Sequence, residues 1–87
     1  MVEMHEERIH EPIGSLIARF EGAGIAPLSF RWRRREYTVR ALNARWTDRS
    51  IQPSVHGFTV TVDSGDVFEL SYQEGEGLWR LERIFLV

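Results

Sequence analysis

The chain predicts an all-β fold: a small antiparallel meander of about five to six strands, closing as a strongly bent sheet or an SH3-like barrel. Three observations predict it. Phe58, Val60 and Val62 alternate with Thr59 and Thr61, and Phe68, Leu70 and Tyr72 alternate with Glu69 and Ser71, the period-two pattern of half-buried strands. Short turn-forming runs, Asp63-Ser64-Gly65 and Glu74-Gly75-Glu76-Gly77, separate these stretches at hairpin spacing. The segment Leu28–Asp48 pairs consistently with itself when folded at its middle, as a hairpin should.

At 87 residues the chain forms one domain, near the lower limit for folding without a staple. Residues 1–12 are polar, acidic and end at Pro12, which predicts a flexible acidic arm or a short edge strand, with a single β domain over 13–87. Cysteine is absent, which removes disulfides and cysteine catalysis and fits a cytoplasmic protein. The acidic start Met1-Val2-Glu3-Met4-His5-Glu6-Glu7 lacks the basic region of a signal peptide, and the longest apolar run, Ile84–Val87, is too short to span a bilayer. No membrane partner is therefore expected.

Taken in order, His5 and His10 invite a zinc reading, but an i, i+5 step suits neither one helical face nor one strand face, so no metal is expected there. Ile13–Phe20 fits a strand better than a helix in this company. Glu21–Pro27 is a loop whose two glycines lack the third glycine and following helix of a dinucleotide-binding turn, so no cofactor is expected.

In Leu28–Asp48 a two-residue turn at Arg34-Arg35 places Trp32 opposite Tyr37, Phe30 opposite Val39 and Leu28 opposite Ala41 on one face. Arg33 then faces Glu36, and Arg31 and Arg40 lie on the other. After Ala41 the apolar phase slips to Leu42, Ala44 and Trp46, which predicts a bulge or bend where the strand passes between sheets. Thr47–Gly57 reads as a loop, with His56 structural. The final hairpins pair Val60 with Phe68, Phe58 with Leu70, Tyr72 with Trp79 and Leu70 with Leu81. That register turns Arg83 inward, so either a bulge near Glu82 restores Ile84 to the core or Arg83 reaches a carboxylate such as Glu36. The expected core is Phe20, Phe30, Trp32, Tyr37, Val39 and Trp46, continued by Phe58, Val60, Phe68, Leu70, Tyr72, Trp79, Leu81 and Phe85. The apolar end Ile84–Val87 pairs either within the sheet or across a homodimer.

All 11 basic residues are arginine. Residues 27–50 hold seven of them against Glu36 and Asp48, whereas residues 51–79 hold five acids and no arginine. Arginine offers a planar, bidentate donor set to carboxylate and phosphate, although compositional bias alone also enriches it. The candidate site is Arg31, Arg33, Arg34, Arg35 and Arg40, extended by Arg45 and Arg49.

The string Phe30-x-Trp32-Arg33-x-Arg35-x-Tyr37-x-Val39, followed by Trp46, a Val-Asp-Ser-Gly-Asp turn and Leu78-Trp79-Arg80-Leu81-Glu82-Arg83, resembles a family of small bacterial β domains without assigned activity. Some of these are similar to segments associated with Y-family-polymerase-like mutagenic repair proteins. The resemblance spans roughly Glu11–Phe85, implies a DNA-repair context and carries over no catalytic residue. Similar sequences tend to have glycine where this chain has Arg34.

Two functions follow as expectations. The first is a non-enzymatic interaction module whose arginine face binds an acidic protein surface or a second copy, through Glu69, Glu74, Glu76 and Glu82 in a homodimer. The alternative is a nucleic-acid-binding accessory domain, against which Trp32 and Tyr37 fall on the core face rather than forming a stacking platform. An enzyme is not expected. The carboxylates Asp63, Asp66 and Glu69 sit in and beside a turn, and no nucleophile–base pair or ligand quartet is spaced for chemistry.

Overall fold

The structure, a computed structural model, describes residues 5–22 and 24–86. Met1–Met4 of the expected arm, Ala23 of the expected loop and Val87 of the apolar end lie outside the described residues. Among the described residues every regular element is a strand, and no helix is long and apolar enough to cross a membrane. The strands are β1 (His5–Pro12), β2 (Ser15–Glu21), β3 (Gly24–Trp32), β4 (Arg35–Asp48), β5 (Val55–Val62), β6 (Val67–Gln73) and β7 (Trp79–Leu86). They form one antiparallel seven-stranded sheet in the order β1-β7-β6-β5-β4-β3-β2.

The count exceeds the expected five to six because His5–Pro12 takes the edge-strand alternative and pairs along β7 as β1, while the expected strand over Ile13–Phe20 forms as β2 along β3. The sheet bends strongly but remains unclosed, with β1 and β2 at its ends. The bend is made within β4. Its first half pairs with β3 and its second with β5, and its register shifts between Val39 and Ala41 and again between Leu42 and Ala44. Each extra residue kinks the strand and increases its twist. The β3–β4 hairpin is thereby folded over the β5–β6–β7 meander.

The core lies between those two layers. Phe68 is its centre, with ring centroids 4.9 Å from Tyr37, 5.6 Å from Phe30 and 6.4 Å from Trp32. Val60, Val62, Leu70 and Leu81 are fully covered beside it. Ile13, Val62 and Ile84, absent from the expected core set, are also buried. Tyr72, Trp79 and Phe85, towards the ends of their strands, and Val39, at the first β4 bulge, are only half-buried.

Two expected core residues are not in the core. Phe20 is 75 % exposed on the edge strand β2, and Trp46 is 42 % exposed. The second β4 bulge reverses the face of everything after Asn43, so Trp46 lies opposite Gly57 on the outer side. A Cβ at Gly57 would fall 2.1 Å from Trp46 Cε2, so the glycine is what lets the indole lie flat on β5.

The turn at the β3–β4 tip is also corrected. It is Arg33-Arg34, not Arg34-Arg35, so Phe30 pairs with Tyr37, Arg31 with Glu36 and Trp32 with Arg35. Both turn residues have positive φ, 49° and 66°, the type I′ geometry whose twist matches the flanking strands. The meander register holds: Val60 pairs with Phe68, Phe58 with Leu70, Tyr72 with Trp79 and Leu70 with Leu81. The β6–β7 register skips Glu82, which returns Ile84 to the core. Arg83 then points outward to Glu6 (2.7 Å) and Glu69 (3.6 Å), not to Glu36. Ile84–Leu86 pairs with Glu7–His5 of β1, so the apolar end is used within the sheet.

Candidate functional site

The hairpin end carries the densest positive charge. Its geometry follows from the turn: with Trp32 and Tyr37 buried inward, the arginines around them are forced outward. The Arg33 guanidinium lies 4.3 Å over the Trp32 ring and donates to both Glu11 oxygens, at 2.6 and 3.3 Å. Trp32 Nε1–H donates to the same carboxylate at 3.2 Å. The Arg33 hydrogen bond holds the Glu11 carboxyl below its ordinary range, with the indole donor helping. Arg35 rests 5.1 Å over the Tyr37 ring, a cation–π contact that orders the side chain without neutralising it.

Arg31, Arg34 and Arg35 are exposed, and among the described residues none of them makes an ion pair. Arg31 has Glu36 opposite it in register, yet the two side chains do not meet. Among the described residues, Arg33 is the one arginine at this end that is neutralised, by Glu11 of β1 rather than by the acidic meander.

The remaining predicted residues do not continue a single track. Arg40 sits at the first β4 bulge. Arg45 and Arg49 lie further along, past both β4 bulges, Arg49 just beyond the end of the strand. There they border a depression of about 310 Å³ together with Ile25, Trp46, His56 and Phe58. Arg45 Nη1 occupies the space where a Cβ at Gly24 would sit, 2.7 Å away, which holds it at the β2–β3 turn.

His56, expected as a lone structural residue, ties three elements together. Its Nε2 donates to Glu74 Oε1 at 2.7 Å, and in the neutral ring its Nδ1 accepts from the Thr47 hydroxyl at 3.1 Å. Nothing in the local spacing marks this, because β4, β5 and the β6–β7 turn meet only in the folded sheet. Glu11 was missed for the same reason: it reaches Arg33 across 22 positions.

Four acids of the meander are engaged with other strands or turns, whereas the side chains of Asp63 and Asp66, at the β5–β6 turn, bond only Ser64 among the described residues. Glu69 faces Arg83, Glu74 bonds His56, Glu76 lies 3.6 Å from Arg80, and Glu82 bonds His10 at 2.5 Å while accepting the Ser71 hydroxyl. Burial raises the Glu69 pKa, and Arg83 only partly offsets it. Arg8, His10, Glu69, Glu82 and Arg83 line a shallow hollow of about 550 Å³ with mixed charge. Among the described residues no three histidine, aspartate or glutamate side chains are grouped as metal ligands.

A family model described as a domain of unknown function (DUF6504) matches residues 4–85. No curated protein and no solved structure matches the chain.

Proposed function

The chain belongs to the DUF6504 family of domains of unknown function, and from that premise we propose that it is a non-enzymatic interaction module whose arginine hairpin end binds an acidic surface of a partner protein. One observation carries this reading. Arg31, Arg34 and Arg35 stand exposed without intrachain ion pairs among the described residues, while Glu69, Glu74, Glu76 and Glu82 are each engaged at home. A second copy would have to break its own contacts to offer those four acids, so an outside partner is favoured over a homodimer formed through them. Guanidinium groups beside a rigid two-residue turn suit bidentate capture of carboxylates at little ordering cost.

Binding of a fluorescent polyglutamate peptide tests it. Affinity should fall steeply between about 50 and 500 mM salt, and about tenfold or more in Arg31→Glu/Arg34→Glu/Arg35→Glu. Binding that ignores both salt and the triple substitution would overturn the reading.

Nucleic-acid binding in a DNA-repair setting is the second reading. It is favoured by the sequence resemblance and by the exposed Trp46 beside Arg45 and Arg49, a stacking surface next to phosphate-binding charge. Labelled single-stranded and duplex oligonucleotides in the same titration separate the two: tighter, salt-sensitive binding that Trp46→Ala removes would select nucleic acid.

A further inference from the structure

The unclosed sheet has two edges, and they are treated differently. β1 is guarded as exposed edges usually are: it carries Glu6, Glu7 and Arg8, a kink at His10 (φ 51°) and a terminal Pro12. β2 is less guarded: it has no proline, its charges are confined to Arg19 and Glu21 at one end, and its one register break, between Ile17 and Ala18, falls in its pairing with β3. It presents Ile17, 63 % exposed, and Phe20, 75 % exposed, with a single ion pair between Arg19 and Glu21. A weakly guarded edge strand with exposed apolar side chains is a template for another strand.

The edge also faces a gap of suitable shape. At one end the wall is pinned, because the Ile13 N–H, just before β2, donates to the Trp79 carbonyl of β7 at 2.9 Å. Beyond that point β2 and β7 are not paired. Between them lies a groove of about 510 Å³ lined by Leu16, Phe20, Ile25, Tyr72, Gly77 and Trp79. Its floor is an aromatic row, with Trp79 centred 5.1 Å from Tyr72 and 5.3 Å from Phe58. Ile25 also borders the depression that holds Arg45 and Arg49, so two cations without ion pairs among the described residues stand at the far end of the groove.

We propose that this groove receives an extended peptide of a partner protein, apolar at alternate positions and acidic at the end reaching Arg45 and Arg49, which pairs with the free edge of β2. Backbone pairing supplies affinity, and the aromatic floor selects the inward side chains. Charge excludes the β2 strand of a second copy as occupant: the one acid in Ser15–Glu21 is Glu21, already 3.2 Å from its own Arg19. The hairpin-end arginines take no part, so this site and the polyglutamate site can fail separately.

The test is selection from a displayed library of random twelve-residue peptides against the full chain, counter-selected on Phe20→Ser. Phe20 is exposed, so that variant folds, and unchanged circular dichroism checks it. Enriched peptides should alternate apolar residues and end in Asp or Glu. Their affinity should drop about tenfold in Phe20→Ser and in Arg45→Glu/Arg49→Glu, and β2 amides should gain hydrogen-exchange protection on binding. Polyglutamate binding should survive Phe20→Ser. The proposal is overturned if no peptide is enriched over the variant, if enriched peptides are basic, or if light scattering shows a dimer that Phe20→Ser dissociates.

Discussion

Arg34 is the residue at which local geometry and surface chemistry pull in opposite directions. Its φ of 66° places a long side chain in the left-handed region, where an L residue costs about 1 kcal/mol or more relative to glycine. Arg34→Gly should therefore stabilise the fold by about 1 kcal/mol, raising Tm by roughly 5 °C for a domain this size, while weakening polyglutamate binding. A melting curve and the titration above read the two effects separately. Glu11 yields a pH prediction. Its pKa is lowered in the folded state by Arg33, so the stability it contributes is present above its ordinary value of 4.5 and is lost as pH falls through the lower folded value. Urea midpoints of the parent and Glu11→Gln should differ at neutral pH and converge in acid below that range. Glu69 has the opposite sign: burial raises its pKa, so its ionisation with rising pH costs stability, and it is common to both proteins.

At the scale of the element, β4 decides the architecture. The slip in its apolar phase after Ala41 forecasts a bend, and the strand has two bulges there. What the slip did not reveal was a second reversal, which moves Trp46 from the core to the outer face over Gly57. Gly57→Ala should displace that indole and destabilise the protein by about 1 kcal/mol, the cost of losing close packing on one partly exposed side. A red-shifted tryptophan emission with a lower urea midpoint would check it; an unchanged midpoint would mean the indole contributes nothing where it lies. The β3–β4 turn shows how a one-residue error arises. Placing it at Arg34-Arg35 and at Arg33-Arg34 both put Phe30, Trp32, Tyr37 and Val39 inward, and only packing of Phe30 and Tyr37 on Phe68 selects between them.

For the whole molecule, the question is where opposite charges meet. The basic and acidic halves of the chain suggest self-pairing, intramolecular or between copies. In the fold Glu69 and Glu76 find Arg83 and Arg80, and Glu74 and Glu82 hydrogen-bond His56 and His10, none of which belongs to the arginine-rich stretch. Arg31, Arg34 and Arg35 are thereby left without ion pairs among the described residues. The chain should accordingly remain a monomer in light scattering at both about 50 and 500 mM salt; dimers at low salt alone would return the homodimer reading.

The linear sequence by itself determined the all-β class, the meander register and the inward set around Phe30, Trp32 and Tyr37, and it narrowed Arg83 to two alternatives, of which the fold took the bulge at Glu82. These rest on a side-chain period of two and on turn residues, both properties of neighbouring positions. Only the tertiary structure decided the count of seven strands, the open wall between β2 and β7, the exposure of Phe20 and Trp46, and which arginines have partners. Those depend on segments brought together from opposite ends of the chain, such as Glu11 with Arg33 and Glu6 with Arg83, which no local period encodes.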